Sequence, residues 1–254
     1  MTSFKYKSDF SLDDPGRTQE HRATIQSKVF LNKLYREWYE TFVLEKSHLP
    51  TGPVIEIGSG GGFLKKLIPD IITSDILPLP SNDMTFSALE MPFPDSSVSG
   101  IFMVDTFHHL PDARLFLSEV NRVLKKSGKL IMIEPANSLW GRFIFQRFHH
   151  EPFDPDGTWQ IPGDGPLSQA NGCLLWIVFE RDKRHFTSEF PGLEVEMIQY
   201  HTPLRYLLSG GVSFKQFVPD GAFNLFRAVD RILAALSKQT CMFMTLKIIK
   251  TKEG

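Results

Sequence analysis

The sequence predicts an α/β fold built on a doubly wound, mostly parallel sheet, and three observations predict it. Short apolar runs of strand length alternate along the chain with helical, amphipathic segments. The first of these runs ends in a glycine cluster and leads into a helical stretch, the opening unit of such sheets. The runs are apolar on consecutive residues, as expected for strands covered on both faces.

Residues 1–16 are polar, contain Asp13-Asp14-Pro15-Gly16 and read as a loose arm. From Arg17 to Lys46 the chain carries Ile25, Val29, Leu34, Trp38, Phe42 and Val43 at helical spacing without proline or glycine, which predicts one long amphipathic helix before the fold proper. Pro53 to Gly58 reads as the first strand, and Phe63 to Ile68 as a short helix after it. Ile71 to Asp75 reads as the second strand, Met84 to Ser87 as a weak third and Gly100 to Asp105 as the fourth. A helix is expected from Pro111, with Phe116, Val120, Val123 and Leu124 on one face, Lys125 and Lys126 at its end and Gly128 as its stop. Lys129 to Glu134 is the fifth strand, and Asn137 to Arg147 a further helix. His149 to Pro166 is rich in proline and glycine and reads as an ordered loop insertion. Beyond it, Leu174 to Arg184 reads as helix, Leu193 to Tyr200 as strand, Phe223 to Leu236 as amphipathic helix and Met242 to Ile249 as a final strand.

The 254 residues carry 28 basic and 29 acidic side chains, with 42% hydrophobic residues. A chain of this size can bury ~75% of its unfolded surface, and one domain over its whole length is expected. A net charge of −1 without a basic block lacks the footprint of nucleic-acid or anionic-membrane binding. The longest apolar run, Cys173 to Phe179, is far short of the ~20 residues that span a bilayer, so no integral membrane segment is expected. The N-terminus has no apolar stretch of the secretory kind, and Cys173 and Cys241 stand far apart. Neither a disulfide framework nor a cysteine-based zinc site is expected, in keeping with a cytoplasmic setting.

The chemistry concentrates at Glu56-Ile57-Gly58-Ser59-Gly60-Gly61-Gly62. A dinucleotide fingerprint starting at Gly58 would need a third glycine where Phe63 stands, and no Gly-Lys-Ser/Thr phosphate loop follows. An anion-binding turn has little use for a carboxylate two residues before its first glycine, whereas a cationic sulfonium amino acid does. With the pieces ITSDI, ALEMPFPDSSVSGIFMVDTFHHLPD and FLSEVNRVLKKSGKLIMIEP, the segment from Val54 to Pro135 resembles class I S-adenosylmethionine-dependent methyltransferases of the type 11 group, which includes the ubiquinone and menaquinone methyltransferases.

The resemblance implies a Rossmann-like, seven-stranded sheet that ends in a reversed C-terminal hairpin. It also implies a division into an N-terminal helix or lid (17–46), a cofactor-binding core (53–135), a loop insertion (148–170) and a C-terminal sheet edge (193–250). S-adenosylmethionine is the implied cofactor. Glu56, Ile57, Gly58, Ser59 and Gly60 would border its methionine and ribose parts, Asp75 with Ile76 its ribose hydroxyls, and Asp105, Thr106 and Phe107 its methionine end. Ser87 and Ala88 stand where relatives often have Asp-Ala for the adenine amino group, so one charge is missing there.

For proton removal, His109, His150 and Glu151 are the ranked candidates, since histidine titrates in a useful range. The run around His149-His150-Glu151 fits a substrate pocket, a base or an ordinary loop. No metal centre is expected, because adjacent residues on an extended chain point apart and no second ligand pair at regular spacing accompanies them. The first helix resembles a cofactor lid, with His21 and Arg22 near its start within reach of the pocket. Phe153, Trp159, Trp176 and Tyr206 hint at an apolar acceptor. The function expected is methyl transfer to a small or medium-sized acceptor, and the alternative is a non-catalytic cofactor-binding or regulatory protein on the same fold. A small-molecule partner is expected, nucleic acid is not, and a homodimer is compatible with the sequence.

Overall fold

Seven strands form one sheet in the order β3-β2-β1-β4-β5-β7-β6. They are β1 Val54–Ile57, β2 Ile72–Asp75, β3 Met84–Thr85, β4 Val98–Val104, β5 Leu124–Pro135, β6 Leu193–His201 and β7 Phe243–Lys250. The computed structural model describes residue 6, residues 8–163 and residues 165–252, so part of the predicted polar arm and residue 164 of the insertion lie outside the described residues. Strands β1 to β5 pair in parallel, whereas β7 runs antiparallel to both β5 and β6. This is the reversed hairpin on the sheet edge. Strands β1 and β4 are buried along almost their full length, which explains their unbroken apolar sequences.

The expected single N-terminal helix is two helices, α1 Pro15–Ser27 and α2 Val29–Lys46. Helix α1 starts where Asp14 accepts from the Gly16 N–H and Pro15 sets the first turn. It stops at Lys28, which leaves helical geometry (φ −81°, ψ 104°). The Lys28 ammonium is turned inward and donates to the carbonyls of Ser209, Gly211 and Phe214. These three bonds from one buried ammonium hold the break open. Val29 and Val43, expected on the apolar face of α2, are 47% and 39% exposed. That face consists instead of Phe30, Leu31, Leu34, Tyr35, Trp38, Tyr39 and Phe42.

The connections on the β3 side are reduced. Between β1 and β2 the expected helix is one 3-10 turn, Leu64–Lys66, soon followed by Pro69, and β2 reaches β3 through a loop. Helix α3, Ala113–Val123, begins two residues after Pro111 with Asp112 as its cap. Gly128 does not stop it: the chain leaves the helix at Leu124, and residues 124–128 already belong to β5, with Val98 paired to Leu124. A Cβ at Gly128 would lie 2.9 Å from the Lys125 carbonyl oxygen and 3.0 Å from that of Ser99, so glycine serves a close backbone approach there.

Helix α4, Leu139–Phe148, precedes the insertion. The insertion is tied to the core through backbone bonds from Ala113 N–H to the Trp159 carbonyl, from Ile161 N–H to Pro111 and from Asn171 N–H to His108. The helix expected at 174–184 is a short α5, Leu174–Trp176, a π turn, Ile177–Arg181, and α6, Lys183–Glu189. Helices α7, Arg205–Ser209, and α8, Phe223–Leu236, complete the chain before β7. No helix of the described residues is long and apolar enough to cross a membrane.

Candidate cofactor and acceptor site

A cavity of about 520 Å³ opens at the carboxyl ends of β1, β2 and β4, within the ~300–1,000 Å³ range of ligand clefts. Chain reversal after β1 fixes its floor. Gly58 has φ 69°, and a Cβ there would sit 2.2 Å from Thr106 Cγ2, so only glycine fits. The turn is then laced to β2: Ser59 N–H donates to the Ser74 carbonyl (2.9 Å), and Ser74 Oγ donates to the Glu56 carbonyl (2.8 Å). Asp75 is held by the N–H groups of Gly60 (3.1 Å to Oδ2) and Leu77 (2.9 Å to Oδ1).

Glu56, Ile57, Gly58, Ser59, Gly60, Asp75, Ile76, Ser87, Ala88, Asp105 and Thr106 all line this one cavity. Glu56 is 3% exposed, and burial pushes its carboxyl up to about 8, helped by the Asp75 charge and opposed by the Ser59 hydroxyl and Arg22. Burial raises Asp75 as well, against the backbone N–H groups that face it. Ser87 Oγ already accepts from the Leu89 N–H at 3.2 Å, which leaves its hydroxyl proton to donate. Asp105 takes a left-handed conformation (φ 54°) in a residue other than glycine, at the mouth of β4.

Phe107 departs from its expected place. Its ring is fully buried, with centroids 5.6 Å from Phe116 and 6.0 Å from Phe179, and it does not line the cavity. The aromatic acceptor wall is also corrected. Tyr206 lines the cavity, but Phe153 stacks on Phe145 (5.2 Å), Trp159 packs against His185 and donates to Asp182, and Trp176 packs on the core. Their place on the wall is taken by Tyr35, Tyr39 and Phe86.

The three candidates for proton transfer, His109, His150 and Glu151, line the same cavity and meet each other. His109 Nδ1 faces the Gln169 carbonyl at 3.0 Å, so the neutral ring carries its proton there and leaves Nε2 bare. Burial and the neighbouring His108 charge push His109 down to about 4. Burial opposes the charge on His108, but Glu134 and Glu151 outweigh it and hold this ring well above the ordinary histidine range. Burial likewise opposes the charge on Glu151, and the hydrogen bond and charge of His108, with His109 and His149, keep it below the ordinary carboxylate range.

Glu134, Thr18 and Asp13 escaped the sequence reading, whereas His21 and Arg22 were expected within reach of the pocket. Glu134, fully buried at the end of β5, accepts from the N–H groups of Thr106 (2.8 Å) and Phe107 (2.7 Å) and binds His108 Nδ1 at 2.6 Å. Its signal was available, an acid at a carboxyl strand end like Glu56 and Asp75. From α1, Thr18 and His21 line the cavity, and both Thr18 Oγ1 and His21 Nε2 are buried without a hydrogen-bond partner among the described residues. Arg22 backs the glycine turn, its backbone N lying 3.0 Å from a Cβ built at Gly61. Asp13 joins this helix to the insertion by accepting from the N–H groups of Leu167 (2.7 Å) and Ser168 (2.9 Å).

Residues 55–132 match the family described as methyltransferase domain. This part of the chain is similar to a methyltransferase domain. Within this family resemblance, the chain is 27% identical over 133 residues to the demethylmenaquinone methyltransferase of Symbiobacterium thermophilum, a match covering 43% of this chain and 53% of that protein. The match thus spans about half the length of that curated relative. Among solved structures, a SAM-dependent methyltransferase of Thermotoga maritima superposes with a TM-score of 0.54 at 18% identity, over 94% of this chain and all of that one. A chain from the complex between the Haloferax volcanii Trm112 methyltransferase activator and a methyltransferase also gives 0.54, at 14% identity over 96% of this chain and 99% of its own. At these identities the superpositions establish the methyltransferase-type fold.

Proposed function

We propose that this methyltransferase domain binds S-adenosylmethionine against Glu56, the Gly58–Gly60 main chain and Asp75, and passes its methyl group to a small-molecule acceptor in the same cavity. The observation that carries the reading is the convergence of two buried carboxylates, a bare stretch of main chain and the His109–His150–Glu151 group on one cleft. Asp75 serves the two ribose hydroxyls, Glu56 the cationic methionine part, and Ser87 and Ala88 the adenine. Helix α1 covers the cofactor, with Thr18 Oγ1 and His21 Nε2 supplying polar atoms that have no partner among the described residues.

Transfer is an in-line displacement. An acceptor lone pair forms the new bond to the methyl carbon while the carbon–sulfur bond breaks, and its electron pair stays on sulfur as a neutral thioether. An acceptor that carries a proton gives it up to the bare His109 Nε2, which faces the cavity beside Glu151. The protein's larger task is alignment and exclusion of water.

Calorimetry tests the reading. S-adenosylhomocysteine is expected to bind and NAD to fail, and Asp75→Ala is expected to weaken S-adenosylhomocysteine by about 10–100-fold, the worth of charge-assisted hydrogen bonds of ~1.5–3 kcal/mol. Equal affinity in the variant would remove Asp75 from the site. Incubating metabolite extracts with methyl-labelled cofactor, and comparing wild type with His109→Gln, then identifies the acceptor and tests the base.

A further inference from the structure

Four imidazole rings converge on the Glu151 carboxylate. His108 Nε2 and His149 Nδ1 stand 3.2 and 3.5 Å from Oε2, and His109 Nε2 and His150 Nε2 stand 3.7 and 3.6 Å from Oε1. The ligand atoms of His108, His109 and Glu151 lie within 4.8 Å of one another, and so do those of His149, His150 and Glu151. The second histidine pair that the local sequence around His149 lacks is thus delivered from the end of β4.

The distances discriminate between a hydrogen-bonded cluster and a cation site. Hydrogen bonds between a charged ring and a carboxylate are ~2.7–2.9 Å long. His108 makes one bond of that length, to Glu134 at 2.6 Å, and a longer hydrogen bond to Glu151 at 3.2 Å. The four contacts to Glu151 are longer, and three of them exceed 3.4 Å. Bonds of ~2.0–2.2 Å to an ion at tetrahedral angles place neighbouring ligand atoms ~3.3–3.6 Å apart, and the four nitrogens stand 3.2–3.7 Å from a Glu151 oxygen, close to that spacing.

The rings are also prepared from behind. His108 Nδ1 rests on Glu134, and His109 Nδ1 rests on the Gln169 carbonyl at 3.0 Å. Each ring thus has Nδ1 held from behind and turns Nε2 toward Glu151, the arrangement that backs metal-bound histidines. Glu134 is itself fixed by the N–H groups of Thr106 and Phe107, so the anchor belongs to the strand end. His109 Nε2 faces a Glu151 carboxylate oxygen at 3.7 Å.

We propose that His108, His109 and Glu151, with His149 or His150 supplying the remaining donor, bind one divalent transition-metal ion at the wall of the methyltransferase cavity. Imidazole donors with a single carboxylate suit zinc. Glu134 and the Gln169 carbonyl position the rings. What the ion does there rests on the proposed methyl transfer: with His109 Nε2 engaged as a ligand, the ion replaces it as the aid to proton loss and favours acceptors that present an oxygen.

The test uses the full chain, freed of metal by chelator dialysis and then equilibrated with zinc chloride and dialysed again. About one zinc per chain is expected to remain, with an absorption-edge spectrum showing imidazole ligation. His109→Ala and Glu151→Gln should each weaken zinc by roughly tenfold or more. Retention of less than about a tenth of an equivalent, or variants that hold zinc as the wild type does, would overturn the site. If the variants do not fold, the wild-type spectrum decides, and a shell without imidazole overturns it. Titrating S-adenosylhomocysteine into the metal-free protein separates the two readings. Binding of it without zinc retention sinks the ion site alone, and zinc retention without it sinks the methyltransferase reading alone.

Discussion

Glu56 is the residue whose titration should be visible from outside. Its carboxyl is raised from an ordinary 4.5 to about 8 by burial, so the folded protein holds a proton there that the unfolded chain releases. The stability this group contributes is complete below the ordinary carboxylate value and is lost as pH rises through about 8. Glu56→Gln, which mimics the protonated form, is therefore expected to gain stability relative to wild type between pH 6 and pH 8, measured by denaturant melts at both. Binding a cation beside Glu56 favours its charged form, so S-adenosylmethionine should expel a proton near neutral pH. Calorimetry in buffers of different ionisation enthalpy reads that release, and it should vanish in Glu56→Gln. Glu56 and Asp75 were legible in the sequence because both stand at strand ends beside a glycine turn. The role of Glu134 was not, because it depends on backbone N–H groups of Thr106 and Phe107, far away in the chain.

At the scale of elements, the break between α1 and α2 is held from outside the helix. Lys28→Met keeps the stem but leaves the carbonyls of Ser209, Gly211 and Phe214 without their donor. A loss of about 2–4 kcal/mol in urea unfolding is expected, the range for buried polar groups left unpaired. Helix α1 makes the opposite case. Thr18 Oγ1 is buried without a partner among the described residues, so Thr18→Val should leave the free protein as stable or more stable. The same change should weaken S-adenosylhomocysteine several-fold by calorimetry, because the covering helix loses a polar atom turned to the cavity. A variant that binds as well as wild type would take α1 out of the cofactor's surroundings. Helical spacing alone joined the two helices, since the residues around Lys28 contain no proline or glycine to mark the break. A mispredicted helix end at Gly128 has a similar cause: the residues after Leu124 pair with β4, and that ladder outweighs local helix preference.

For the whole molecule, ligand binding couples to unfolding through the cleft that β1, β2, β4, α1 and the insertion share. S-adenosylhomocysteine at a hundredfold excess over its Kd should add about 2.7 kcal/mol of stability. For a chain of this size that is a rise in Tm of roughly 5–10 °C, readable in a thermal shift assay. NAD should produce none. The succession of strands along the chain up to β5, the glycine turn and the acids beside it were determined by the sequence alone, because strand periodicity and turn chemistry are fixed by near neighbours along the chain. The break at Lys28, the early start of β5, the retreat of Phe107 into the core and the meeting of His108 and His109 with Glu151 were decided only by the tertiary structure. Each depends on partners brought close by sheet order, and no local pattern of residues encodes a contact whose two sides lie dozens of positions apart.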